Sequence, residues 1–201
     1  MVLNVTWLRN VPVAPFVGWA EANDWADNLV TGVSAVAVSD WRLPGMRVAN
    51  PASTAPLTYD GTSPLGYNAA IDSSEMASLF YGTLGNAAKY SADGSLRASG
   101  FGLHNIGAFL GLASYPYWMG SDRGFTLAGR DVKWIFDTRD GLQWHSVEEA
   151  TINAMAVRDG DVMAAVPEPH AAWLMALGAL MLVPALHRRA SALDKPFFGA
   201  L

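Results

Sequence analysis

Val132-Lys133-Trp134-Ile135-Phe136-Asp137-Thr138-Arg139-Asp140-Gly141-Leu142-Gln143-Trp144 carries the plainest structural signal in the chain. Val132, Trp134 and Phe136 alternate with Lys133, Ile135 and Asp137, the period-2 pattern of a strand. Asp140-Gly141 is a hairpin turn signal, and Leu142, Gln143 and Trp144 begin the return. A further strand is expected at 154–158, and residues 1–8 alternate in the same way. Two helices precede the strands of the second half. In 19–30, Ala22, Trp25, Ala26 and Leu29 fall at i, i+3, i+4 and i+7, while Glu21, Asp24 and Asp27 face out and Gly32 stands where the helix can stop. In 74–84, Met76, Leu79, Phe80 and Leu84 share a face. Asp72, Ser73 or Ser74 can cap that start, and Gly85-Asn86 ends it. Helices followed by a run of strands give an α+β class with a mainly antiparallel sheet. The Pro-, Ser-, Thr- and Gly-rich stretch 44–66 between the helices is long for a loop, which points to a functional or mobile segment.

The chain has 201 residues, of which 51% are hydrophobic, so one domain with a buried core fits with a short appendage to spare. Up to Val162 there are 10 Lys/Arg against 16 Asp/Glu, a net charge of -6; the remainder, with three against two, carries +1. An acidic body without a basic stripe argues against nucleic acid as a partner. The chain has no cysteine, which excludes disulfides, thiolate metal sites and cysteine nucleophiles. Met1 is expected to fall inside a structural element, with an N-terminal signal peptide lying upstream of it, because 1–8 lacks a basic start and a long apolar run.

The C-terminal fifth reads differently. Val166-Pro167-Glu168-Pro169 precedes His170, an uncharged apolar run of 16 residues from Ala171 to Leu186, and then His187-Arg188-Arg189. As a helix the run spans about 24 Å at roughly 1.5 Å per residue. A bilayer core is about 30 Å thick, and snorkelling of Arg188 and Arg189 or local thinning can close the difference. The run is apolar on all sides, unlike a helix with one face in water. Its basic stop fits retention on the cytoplasmic side. Pro-Glu-Pro, an apolar helix and an arginine cluster, in that order, resemble the PEP-CTERM sorting signal. The resemblance implies an exosortase-type membrane protease as partner: the tail holds the exported protein in the lipid bilayer of the inner membrane until it is cut near the motif. The protein then passes to the cell surface or extracellular matrix. Twelve residues, Ala190 to Leu201, follow the arginines where the family usually stops almost at once. The expected organisation is a domain at 1–162, a linker at 163–170, a transmembrane helix with its stop at 171–189, and a tail at 190–201.

Within the body, several blocks come in order. These are Trp25-Ala26-Asp27-Asn28-Leu29, Ser39-Asp40-Trp41-Arg42-Leu43-Pro44, Gly66-Tyr67-Asn68, Ser73-Ser74-Glu75-Met76, Leu79-Phe80-Tyr81, Leu84-Gly85-Asn86, Tyr117-Trp118-Met119-Gly120-Ser121 and Ala156-Val157-Arg158-Asp159-Gly160-Asp161-Val162. Together they resemble the Lcl C-terminal-like domain, named from a collagen-like adhesin. The resemblance implies a C-type lectin-like domain with two helices, exported, and in some members adhesive toward glycans. The sequence departs from that pattern at 50–66, which lacks a cysteine pair, and at 122–131, which is irregular.

Trp41, Arg42, Tyr117 and Trp118 are the candidate ligand surface, with indole stacking on a sugar ring and guanidinium donating to hydroxyls. The competing assignment puts Trp41 in the core and pairs Arg42 with a buried carboxylate. His104, His145, His170 and His187 sit at no metal-binding spacing, and no metal or cofactor is expected. The acidic segments 137–140 and 159–161 match no calcium loop and read as solvated turns, and Glu148-Glu149 reads as a solvated helix or turn start. There is no Gly-x-Ser-x-Gly elbow. The expected function is therefore non-catalytic: a sorted envelope or matrix protein that meets extracellular polysaccharide. The alternatives are an envelope carbohydrate-active enzyme pairing Asp137 or Asp140 with Asp159 or Asp161, and a structural protein whose tail is never cut.

Overall fold

The computed structural model describes residues 4–11, 17–33, 36–47 and 56–160. The chain divides into two units, Met1–Val162 and Met163–Leu201, and only the first contains described residues. The expected sorting motif (Val166, Pro167, Glu168, Pro169), the membrane helix and its stop at His187, Arg188 and Arg189 lie outside them. Among the described residues no helix is long and apolar enough to cross a membrane.

The body is α+β, with antiparallel sheets. Its centre is a sheet of β4 (Pro116–Leu127), β5 (Arg130–Asp137) and β6 (Leu142–Val147), hydrogen-bonded in that order. Directly opposed residues share a face. Tyr117 opposes Phe136, which opposes Gln143; one step along, Trp118 opposes Ile135, which opposes Trp144. Tyr117, Met119, Trp134 and Phe136 pack with Met76, Leu79, Phe80 and Leu84 on the first face. On the second, Trp118 and Ile135 pack with Ala22, Ala26, Trp41 and Leu43. Each large side chain buried this way contributes about 1.5–3 kcal/mol.

The strand expected over 132–137 forms as β5, enclosed within that sandwich. Residues 132–137 are all buried, Lys133 and Asp137 included, because both faces of β5 are covered over this span. Lys133 places its ammonium 4.5 Å from the centre of the Trp19 ring and 3.6 Å from Glu148, an arrangement suited to a cation leaving solvent. Asp137 lies in a bidentate clamp from Arg139 and is no solvated turn. The hairpin at Asp140-Gly141 forms as expected, with Gly141 at φ +77 and its N–H bonded to the Asp137 carbonyl. The irregular segment 122–131 is also a correction. It continues β4 through two register shifts and turns at Ala128 and Gly129 into β5.

The first helix, α1 (Trp19–Asp27), buries Ala22 and Ala26 and turns Glu21, Asp24 and Asp27 outward. Glu21 accepts a hydrogen bond from the Gly18 N–H at the start. The helix stops at Asn28, before Val30, and Gly32 lies inside a strand. The hairpin of β2 (Val30–Val33) and β3 (Val36–Ser39) takes the residues that periodicity assigned to the helix end. The valine-rich stretch has β-branched side chains that lose rotamer freedom in a helix.

The second helix begins where expected. Ser74 caps α2 (Glu75–Ala77) by accepting from the Ala77 N–H at 3.0 Å. The segment then widens into a π-helix, Ser78–Thr83, closed by a bond from the Leu84 N–H to the Leu79 carbonyl. The widening presents Tyr81 to the β5–β6 hairpin. Its hydroxyl donates to the Gly141 carbonyl at 2.5 Å and accepts from the Asn68 N–H at 3.1 Å. Burial, the largest cause, pushes the phenol well above its ordinary value of 10.0. A folded-state pKa raised above the unfolded one gives stability that is complete below about pH 10 and lost as pH rises through the folded value. Tyr81→Phe is therefore expected to cost about 1–2 kcal/mol at pH 7, from two lost hydrogen bonds. Above pH 10 the difference should narrow. Thermal melts across pH 7 to 11 check this, and a constant difference would refute it.

Two short strands close the body. β1 (Val5–Trp7) pairs antiparallel with β7 (Val157–Asp159). The expected strand at 154–158 is thus displaced toward its C-terminal end, with Met155 and Ala156 buried ahead of it.

Candidate functional site

Asp40 takes φ +99, outside the range favourable to a residue with a side chain, and Arg158 pairs with its carboxylate at 3.0 Å. Beyond this turn Trp41 is buried at 5% exposure, its indole N–H bonded to Thr31 Oγ1 at 3.2 Å. Arg42 exchanges backbone hydrogen bonds with Val157 at 2.9 and 2.8 Å, which sets it beside β7.

The Arg42 guanidinium joins two carboxylates. Nη1 lies 2.7 Å from Glu75 Oε2 and Nη2 lies 2.8 Å from Oε1, a bidentate fork. Nη2 also reaches Asp159 Oδ1 at 2.5 Å. Glu75 accepts a third bond from the Gly45 N–H at 2.7 Å. Its side chain is only 6% exposed, against 36% for Arg42 and 81% for Asp159. The hydrogen bonds to Glu75, foremost, and then to Asp159 hold the guanidinium above the ordinary arginine range against the opposing effect of burial. The inner pair is the structurally costly one to break; the outer pair, in solvent, is worth little.

These groups floor a cavity of about 590 Å³. Asn4, Asn23, Arg47 and Ser121 supply polar groups to its wall, and Val5, Leu43 and Met46 supply apolar ones. Ser121 Oγ accepts from the Met46 N–H at 2.8 Å, and Asn23 donates to the Trp19 carbonyl at 2.9 Å. Gly120 makes a close approach: a Cβ there would stand 3.2 Å from both Leu43 Cβ and the Leu43 carbonyl oxygen, so Leu43 would have to give by a few tenths of an ångström. The cavity has the size of a small-molecule site. Its floor holds one guanidinium against two carboxylates, an excess of one negative charge that Arg47 in the wall offsets, and planar amide, guanidinium and carboxylate groups lie around it. Such groups engage vicinal hydroxyls in pairs.

Of the expected ligand surface, the structure leaves only Arg42 reachable. Trp41 at 5%, Tyr117 at 1% and Trp118 at 0% exposure are core. The Trp118 indole donates to the Val17 carbonyl at 2.8 Å, and the Tyr117 hydroxyl bonds to Ala113. A ring enclosed on both faces cannot stack on a sugar. The competing assignment, Trp41 in the core and Arg42 on a buried carboxylate, describes what is found. Glu75, Ser121, Asn23 and Arg47 were not singled out from sequence. The signal for Glu75 was a charge beside core Met76 in Ser73-Ser74-Glu75-Met76.

The carboxylates proposed as a catalytic pair are spread over separate contacts. Asp159 is bound to Arg42 and lines the cavity; Asp137 is clamped by Arg139; neither Asp137 nor Asp140 lines that cavity. Asp161 lies outside the described residues. Glu148 and Glu149 form a turn, with Glu149 paired to Arg130 at 3.0 Å. Among the described residues, no three His, Asp or Glu side chains cluster as metal ligands. No protein-family model, no curated protein and no solved structure matches this chain.

Proposed function

We propose that this chain is an exported, non-catalytic protein of the bacterial cell envelope or matrix, whose C-type lectin-like body binds extracellular polysaccharide in the Arg42 cavity. Its tail makes it the substrate of an exosortase-type protease. The protein is held in the inner membrane by residues 171–189 and released to the surface after cleavage near Pro167-Glu168-Pro169.

The observation that carries the binding reading is the state of the cavity carboxylates. Glu75 and Asp159 both sit within hydrogen-bond distance of Arg42. A general acid or base must exchange its proton with a reacting group, and a carboxylate committed to a guanidinium is poorly placed for that. Donors and acceptors interleaved in a cavity whose two carboxylates are balanced by Arg42 and Arg47 suit recognition of a neutral, hydroxyl-rich ligand. Support for sorting comes from the order of parts in the tail, which ties a short apolar run to a basic stop and a proline-flanked glutamate.

One experiment addresses both halves. The chain is expressed in a cell that carries an exosortase, with and without Pro167→Ala plus Pro169→Ala, and the mature size is followed. The released body is then applied to a glycan array. A shift to the uncut size in the variant, and retention on neutral glycans that Arg47→Ala weakens about tenfold, are expected. An unchanged mature size would remove the sorting claim, and a blank array would remove the binding claim.

A further inference from the structure

Tyr59, Tyr67 and Tyr90 come from separate turns of the irregular region on either side of the second helix, yet their rings meet. Tyr59 and Tyr67 are parallel to within 2° with centroids 5.8 Å apart; Tyr90 lies 5.1 Å from the first and 4.8 Å from the second. None of the three is buried, and none is fully exposed. Asn68 fixes the arrangement. It takes φ +51, and its carboxamide donates to the Tyr59 carbonyl at 2.6 Å and the Tyr90 carbonyl at 2.9 Å. Both amide protons are thus used to tie two tyrosine-bearing turns together. Tyr81 holds the Asn68 N–H, so the π-helix supports the same cluster from beneath. Gly94, at φ +81, lies against the Tyr59 ring, where a Cβ would stand 3.4 Å away.

We propose that these three tyrosines form a second saccharide-binding site, a preorganised platform on which a pyranose ring of a neutral polysaccharide stacks. A tyrosine offers a broad apolar face and a polar edge while giving up few rotamers on binding. The C–H face of a sugar ring matches the ring face, and its hydroxyls match the edge. Such edge groups are in place: the Tyr67 hydroxyl donates to Asp140 Oδ2 at 3.3 Å, and Lys89 Nζ stands 6.0 Å from the Tyr90 centroid. The exposed carboxylates of Asp60 and Asp93 flank the platform in Asp-Gly-Thr and Asp-Gly-Ser turns. With Asp140 they outnumber Lys89, so an anionic polymer is disfavoured. A protein partner is also disfavoured, since three half-buried rings fall far short of the roughly 1,000 Å² that a stable protein interface needs.

The inference rests on the reading of the body as a polysaccharide binder, and its test separates the two. The full chain, carrying ¹³C-labelled tyrosine rings, is titrated in detergent with cellohexaose, maltohexaose, N-acetylchitohexaose and, as an anionic control, hexamannuronate. At least one neutral probe is expected to shift the Tyr59, Tyr67 and Tyr90 ring signals with a midpoint of about 0.1–10 mM. Tyr67→Ala should weaken that response tenfold or more, Tyr67→Phe less than about threefold, and Tyr115→Ala not at all. Neutral probes that bind but move only the Arg42 cavity would overturn the platform and leave the polysaccharide reading intact. Binding of no neutral probe would overturn both. If the ring signals instead follow protein concentration, or Tyr67→Ala lowers the melting temperature without affecting binding, the cluster is a contact or a loop staple and the proposal fails.

Discussion

Gly66→Ala is expected to cost the body at least about 3 kcal/mol, more than an ordinary glycine substitution in a turn. Gly66 has φ +133, a conformation that is open to glycine and strained for any residue with a side chain. Strain is the smaller part of the effect. A Cβ at this position would lie 2.0 Å from the Thr58 carbonyl oxygen and 2.8 Å from the Thr58 nitrogen. Those atoms are not free to retreat. The Thr58 N–H bonds to the Leu65 carbonyl at 3.0 Å, and the Thr58 carbonyl accepts from the Tyr67 N–H at 3.0 Å. On its other side Gly66 exchanges two hydrogen bonds of 2.9 Å with Gln143 of β6. Gln143 is fully buried and itself accepts from Ser74 and donates to the Pro64 carbonyl. The glycine is thus wedged between two backbones, one of which, at Gln143, also receives a hydrogen bond from the helix cap Ser74. Gly85→Ala supplies the control, because its φ of +66 imposes strain while nothing lies within 4 Å of the added carbon. That variant should lose only about 1–2 kcal/mol. Chemical denaturation of both variants decides the matter; equal losses would show that backbone strain alone, and not the approach to Thr58, is at work.

Much of this architecture can be read from the residues, and the failures have physical causes. The face of α1 and the start of the second helix follow from side-chain spacing and a serine cap, both local properties. The end of α1 falls short of the expected one because Leu29 continues the helical spacing even as the valines beyond it favour a strand, and the hairpin partner is supplied only by the fold. In β5 the alternation of Val132, Trp134 and Phe136 with Lys133, Ile135 and Asp137 marks a strand whose second face carries two charges. Pattern alone does not reveal that α1 and its neighbours cover that face, nor that Trp19 and Arg139 receive the charges. The Arg42 pairing shows the same limit. That an arginine after a buried tryptophan should find a buried carboxylate is a sound expectation; which carboxylate, 33 residues away, is decided by packing. The tyrosine cluster left almost no trace, since three tyrosines in irregular segments carry no period. Gly66-Tyr67-Asn68 was visible as a block, but the two hydrogen bonds that give Asn68 its place are tertiary.

Removing the Arg42 side chain is the second change with a large expected effect, and it bears on the cavity as well as the fold. In Arg42→Ala, Glu75 keeps only the Gly45 N–H as a partner while its side chain remains enclosed. An unpaired buried carboxylate costs about 3–5 kcal/mol, and with Arg42 itself a third exposed some water can reach the gap, so about 2–4 kcal/mol is expected. For a body of this size that is a fall of roughly 5–12 °C in melting temperature. Loss of the outer contact to Asp159 adds little, and Asp159→Ala alone should shift stability by less than about 0.5 kcal/mol. The double variant Arg42→Ala plus Glu75→Gln separates charge from packing. A neutral carboxamide left in the same place is cheaper than an unpaired carboxylate, so at least about 1 kcal/mol should return. If the double variant is no more stable than Arg42→Ala, the pair acts by filling space and the charge balance assigned to the cavity floor is wrong. Restored stability without restored glycan retention would place the Arg42–Glu75 pair among the groups that meet the ligand, because the floor would then be sound and only the two charges missing.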